Sequence, residues 1–164
     1  MKNIISFIKN LFVLVPVIVL LVGCFSETVD EKTIRTFLEK EFTGPSDELK
    51  DAFEQDGAFP PELEEYVEEN YKPLVVNWEE MIKSNQIMLF QTFAYGYGFQ
   101  LKPTSIEMKL VQDNAYDYEV KVEYTKDNQK NTAIITARIN LNENGKIVSI
   151  RNMDDDGLLE IMKP

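Results

Sequence analysis

The chain of 164 residues has no histidine and a single cysteine, Cys24. Without histidine it lacks the commonest general base, the commonest metal ligand and the one side chain that ordinarily titrates near neutrality. One thiol forms no internal disulfide, and a free thiol in an exported chain needs a reason. Positive charge is also scarce, with 17 Lys and Arg against 28 Asp and Glu and a net charge of −11. That balance argues against nucleic acid, whose phosphates demand basic patches. Long apolar runs are absent but for one, Leu11 to Val22, about a dozen residues interrupted by Pro16. A membrane-spanning helix needs about 20.

What is present begins with that run. Lys2 and Lys9 precede it, small Gly23 follows it, and Cys24 comes next. A positive start, a short apolar middle and a small residue at the cut are the three parts of an export signal. Leu21-Val22-Gly23-Cys24 resembles the lipobox of bacterial lipoproteins, at which the cysteine receives a diacylglyceryl thioether before the leader is cleaved. The resemblance implies a mature N-terminus at Cys24 carrying two or three acyl chains such as palmitate, and hence a membrane partner. One chain binds membrane marginally, whereas two hold it firmly. An uncleaved N-terminal anchor and a plain surface thiol are the alternatives. The expected organisation is a signal peptide over 1–23, a tether over 24–28 and one domain over 29–164.

Removing the leader leaves 15 basic against 28 acidic residues, a net charge of −13. So acidic a domain is repelled by anionic lipid, and the acyl group must do the holding. With Cys24 taken by lipid, thiol nucleophiles and zinc or iron–sulfur sites are excluded as well. No metal and no cofactor are expected.

Thr28 with Glu31 reads as a capping box, and Ile34, Phe37, Leu38 and Phe42 follow at helical spacing until Gly44-Pro45. Ser46 starts a second helix through Leu49, Ala52 and Phe53, closed by Asp56-Gly57. Pro60-Pro61 starts a third, with Leu63, Tyr66 and Val67 inward and Glu62, Glu64, Glu65, Glu68 and Glu69 outward. Pro73 breaks the chain before Val75, Trp78, Met81 and Ile82, and a further helix is expected over 86–95, ended by Gly96 and Gly98. A buried strand is the alternative for so short an apolar run.

From there the apolar period falls from 3.6 to 2. Ile106, Met108 and Leu110 alternate with charges, as do Tyr116, Tyr118, Val120, Val122 and Tyr124, then Ala133, Ile135, Ala137, Ile139 and Leu141. Ile147 and Ile150 belong to a fourth strand after Asn144-Gly145, a hairpin signal. Short links between successive strands imply antiparallel neighbours. The fold class expected is α+β, with N-terminal helices packed on a four-stranded antiparallel meander.

The order of elements, with Gln-Leu-Lys-Pro at 100–103, the Tyr116–Tyr124 strand and the closing Asp155-Asp156-Gly157-Leu158-Leu159, resembles the nuclear-transport-factor-2-like (cystatin-like) cone of small Gram-positive lipoproteins. The resemblance covers most of the mature chain and implies a fold, with no activity attached.

Two site candidates remain. Asn152, Asp154, Asp156 and Gly157 match the opening of a calcium loop, but the position that needs a bidentate Glu is Lys163, so solvated acids around a helix cap are the better reading. Trp78, Phe90, Phe93, Tyr95, Tyr97, Tyr116, Tyr118 and Tyr124 are expected to converge between sheet and helices. There they either fill the interior or line an apolar pocket whose only polar tips are tyrosine hydroxyls. Every strand acid falls on the outward register. These features lead to a membrane-tethered, non-enzymatic binding or accessory protein, acting on a protein partner or a small amphiphilic molecule. The alternative is an isomerase- or dehydratase-like enzyme using a buried Asp, Glu or Tyr.

Overall fold

A computed structural model describes residues 27–163. Leu21, Val22, Gly23 and Cys24, with the whole leader, lie outside the described residues. Helices α1 (Val29–Phe42), α2 (Asp47–Phe53), α3 (Pro61–Asn70), α4 (Trp78–Lys83) and α5 (Leu89–Tyr97) precede four strands. These are β1 (Gln100–Gln112), β2 (Ala115–Lys126), β3 (Gln129–Leu141) and β4 (Ile147–Asp154), and a short α6 (Leu158–Met162) closes the chain. The strands pair as an antiparallel meander in the order β1-β2-β3-β4, so the domain is α+β, as the periodicities imply.

The first four helix starts each have a local cause. Thr28 accepts from the Glu31 N–H at 3.1 Å while the Glu31 carboxylate accepts from the Thr28 N–H at 2.8 Å, the reciprocal box that satisfies two orphan donors. The Thr28 N–H, joined by the Thr28 hydroxyl donating to the same carboxylate at 3.0 Å, lowers the Glu31 carboxyl below its usual range. Ser46 caps α2, Pro61 opens α3, and Asn77 caps α4 by accepting from the Glu80 N–H. Gly44, between α1 and α2, has φ 121°, a conformation open to glycine and strained for other residues. That conformation lets its N–H and C=O both bond Leu101, at 3.0 and 2.7 Å.

Sheet and helices share one core. Tyr116, Tyr118, Val120, Val122 and Tyr124 are all buried, as are Ala133, Ile135, Ala137, Ile139 and Leu141. Their intervening neighbours Lys121 and Glu119 are exposed. From the helical side Ile34, Phe37, Leu38 and Phe42 of α1 meet Leu49, Val67 and Phe90 in the same cluster. Full burial of side chains of this size contributes roughly 1.5–3 kcal/mol each, so α1 and β2 carry much of the stability. The other sheet face meets solvent. There Arg138 grips Asp117 with two bonds of 2.6 and 3.0 Å, holding the Asp117 carboxyl below its usual range.

The structure corrects three boundaries. α2 ends at Phe53, where the Glu54 N–H closes on the Lys50 carbonyl, three residues short of Asp56. Val75 lies before α4 and makes a parallel bridge to Ile147 at the β4 edge. The fifth helix begins at Leu89 and runs through Gly96, with Gly98 in the left-handed conformation as its cap. Residues 86–88 are withheld from it by tertiary bonds. The Gln86 side chain accepts from the Ile150 N–H at 2.7 Å, and Met88, at φ 64°, gives its N–H to a side chain of α1.

Candidate functional site

That side chain is Glu41. It sits on the buried stripe of α1, between Phe37 and Phe42, and is 4% exposed. Its carboxylate accepts from the Met88 N–H at 2.9 Å, the Phe90 N–H at 3.2 Å and the Tyr71 hydroxyl at 3.2 Å. The first turn of α5 has no cap of its own, so a residue from another helix supplies it. Gln91, in the first turns of α5 and fully buried, returns the service. Its amide nitrogen donates to the carbonyls of Lys40, Glu41 and Thr43 at 2.9, 3.0 and 2.9 Å, the orphan acceptors at the end of α1. Three carbonyls around one atom fix the amide orientation and leave Gln91 Oε1 buried without a partner.

Burial pushes the Glu41 carboxyl up to about 7, against the opposing pull of its backbone donors. Burial, then the neighbouring Glu41 charge, raises the Tyr71 and Tyr118 hydroxyls. A raised, buried carboxyl beside tyrosines is the arrangement a proton-transfer enzyme would use. Here, though, both carboxylate oxygens are engaged by groups that hold the fold together. Glu41 and Gln91 also correct the expectation that only tyrosine hydroxyls bring polarity inside. The helical spacing carried a signal for Glu41, which stands seven residues after Ile34 in the same stripe. For Gln91 no signal existed short of knowing what α5 packs against.

Of the aromatic residues expected to converge, Phe90, Tyr116, Tyr118 and Tyr124 lie in the shared core and Trp78, Phe93 and Tyr97 pack against it, while Tyr95 stands outside, and most of them are paired ring on ring. Phe90 packs on Phe42, Phe93 on Tyr97, Tyr95 stacks on Phe53, and Tyr124 meets Phe99. Tyr116 and Tyr118 are buried in the core. Trp78 packs against the same core from the start of α4, where it is half-buried. Its ring runs nearly parallel to that of Phe59, at 19° with centroids 6.3 Å apart. Phe59, at the end of the loop before Pro60, is 40% exposed. The two rings and Ile82 form the apolar side of a groove of about 470 Å³, with Glu64, Glu79 and Lys83 around it. Two carboxylates against one ammonium leave its rim negative.

A second groove, of about 530 Å³, runs between α2 and α3 and is lined by Glu48, Asp51, Glu62, Glu65 and Glu69. Among the described residues no three acidic side chains stand close enough together to hold a metal ion. The carboxylates of the 152–157 loop are turned to its own backbone. Asp154 accepts from the Asp156 N–H, Asp155 from the Leu159 N–H and Asp156 from the Ile134 N–H, which makes the loop a helix cap tied to β3. Among the described residues no helix is long and apolar enough to cross a membrane.

No family model, no curated protein sequence and no solved structure matches the chain. The site must be read from its own chemistry.

Proposed function

We propose that this protein is an exported lipoprotein, held at the outer face of the cytoplasmic membrane by acyl chains on Cys24, that binds an amphiphilic cation through the Phe59–Trp78 groove. The carrying observation is the pair of near-parallel, partly exposed rings over an apolar groove rimmed by Glu64 and Glu79. Aromatic faces attract cations, and strongly so when the site is partly desolvated. Apolar walls with a few placed charges are the usual form of a small-molecule site. The net charge of −13 on the mature chain concentrates cations around it. A binding role is favoured over catalysis because Glu41, the one buried acid among the described residues, is taken up by two helix-terminal N–H groups and a tyrosine hydroxyl.

Trp78 is the only tryptophan, so its fluorescence reports on this groove alone. Titration with octyltrimethylammonium should give a saturable spectral shift, and Phe59→Ala should weaken it roughly tenfold, the loss of one stacked cation–π face. An equal response to octyl sulfate, or an unchanged one in Phe59→Ala, would overturn the reading. The anchor has its own test. Cys24→Ala should release the protein from membranes or leave it at precursor length. A mature-length product still retained by the membrane would refute lipidation.

A further inference from the structure

The sheet has two edges, and the chain treats them differently. The β4 edge is plugged, because the Val76 N–H bonds the Ile147 carbonyl, the Ile147 N–H bonds the Leu74 carbonyl, and Gln86 takes the Ile150 N–H. On β1 the Gly44 loop covers Leu101. From Ser105 to Val111 no described residue pairs with the outer edge. An open edge of this length invites another strand, and proteins usually blunt it with proline, bulges or charge. Here the register irregularities lie at its two ends, between Pro103 and Ser105 and between Leu110 and Gln112, and leave Ile106 to Leu110 regular, with Glu107 and Lys109 its only charges. Its helix-side row is Ile106, Met108 and Leu110, the last 57% exposed, and Val111, at the irregularity that ends the regular pairing with β2, is 38% exposed.

We infer that the β1 edge is a self-recognition surface, on which a second copy of this chain pairs antiparallel about a two-fold axis at Met108. Charge selects both the occupant and the register. With Met108 opposite its own copy, Glu107 faces Lys109 of the partner subunit and Lys109 faces the partner's Glu107. On the helix side Ile106 meets the partner's Leu110, and Leu110 the partner's Ile106. Centring the axis one residue earlier sets Glu107 against itself, and one residue later sets Lys109 against itself. Directly opposed like charges destabilise a ladder. Within one chain Glu107 lies opposite Glu119 of β2, while Lys109 lies opposite Asp117 and helps to lower its carboxyl, though among the described residues neither Glu107 nor Lys109 is in an ion pair. The partner's Lys109 offsets that repulsion. A two-fold contact must be self-complementary in this way.

The test is sedimentation of the full chain in non-ionic detergent at physiological ionic strength, with thermal melting to confirm that each variant is folded. The wild type should show a monomer–dimer equilibrium. Glu107→Lys alone and Lys109→Glu alone should each weaken it roughly tenfold or more, since both set like charges opposite across the axis. Mixing the two variants should restore dimers, because a chain with two acids then faces a chain with two lysines. A wild type monomeric over the whole concentration range, a dimer indifferent to both reversals, or variants that stay apart when mixed would each overturn the inference.

Discussion

Val122→Asp should be among the most damaging single changes in this domain, costing about 3–5 kcal/mol, whereas Lys121→Asp next to it should stay within roughly 0.5 kcal/mol. Val122 has no exposed surface, and its cross-strand neighbours are Pro103 and Ala133, neither of which offers a donor side chain. An aspartate there must either ionise without a partner or hold a proton far above its ordinary range, and both routes cost folding free energy. Lys121 points the other way, into solvent, between Ser105 and Ile134 of the adjoining strands. Denaturant melts of the two variants decide the matter. Equal losses, or a larger loss for Lys121→Asp, would mean that β2 sits one residue out of register, since a single-residue slip exchanges the two faces.

The register of β2 was legible because alternation is a local signal. Nine residues from Tyr116 to Tyr124 alternate without a break, and cross-strand pairing had only to respect it. The caps at Thr28, Ser46 and Pro61 were legible for the same reason, as each depends on residues within one turn. What failed to show was decided by contacts distant in sequence. The residues at 86–88 carry helix-compatible side chains, yet Met88 takes a left-handed backbone because Glu41, 47 positions earlier, captures its N–H. The groove was half legible. Trp78 stood out as an unusual aromatic, but Phe59 joins it only through the folded path of the 54–60 loop. Seven of the eight aromatics meet the shared core, as their inward spacing implied, but which ring packs on which depends on how each helix is turned. Of the site residues, Leu21, Val22, Gly23 and Cys24 rest on local spelling alone.

Glu41 should give the domain an unusual dependence on pH. Its carboxyl is pushed up to about 7 in the fold from an ordinary 4.5. Between those values the folded state keeps a proton that the unfolded chain has released, so stability falls as pH rises through that window and levels off above it. The full span of about 2.5 pH units corresponds to roughly 3 kcal/mol. Glu31 and Asp117, whose carboxyls are lowered, act in the opposite sense: their contribution is present above their ordinary range and is lost as pH falls below it. The stability maximum should therefore lie at mildly acidic pH, near 4.5–5, rather than near neutrality. Release of self-repulsion among the many acids pushes the same way, so the readout is the difference between the wild type and Glu41→Gln. Denaturant melts from pH 4.5 to 8 should show a falling wild-type profile and a flatter one for Glu41→Gln, which keeps one acceptor oxygen but cannot titrate. Identical slopes would assign the whole effect to surface charge. Glu41→Ala isolates the other role of this residue. It strips the acceptor from the Met88 and Phe90 N–H groups and from the Tyr71 hydroxyl, all inside the core. Each buried donor left unmade costs about 1–3 kcal/mol, so this variant should lose about 3 kcal/mol or more at acidic pH, and the deficit should shrink toward neutral pH as the wild type loses its Glu41 contribution. Because α1 and α5 cap each other through Glu41 and Gln91, amide exchange in the first turn of α5 should accelerate together with that at the end of α1. Faster exchange confined to α5 would break the reciprocity and leave Glu41 as an ordinary cap.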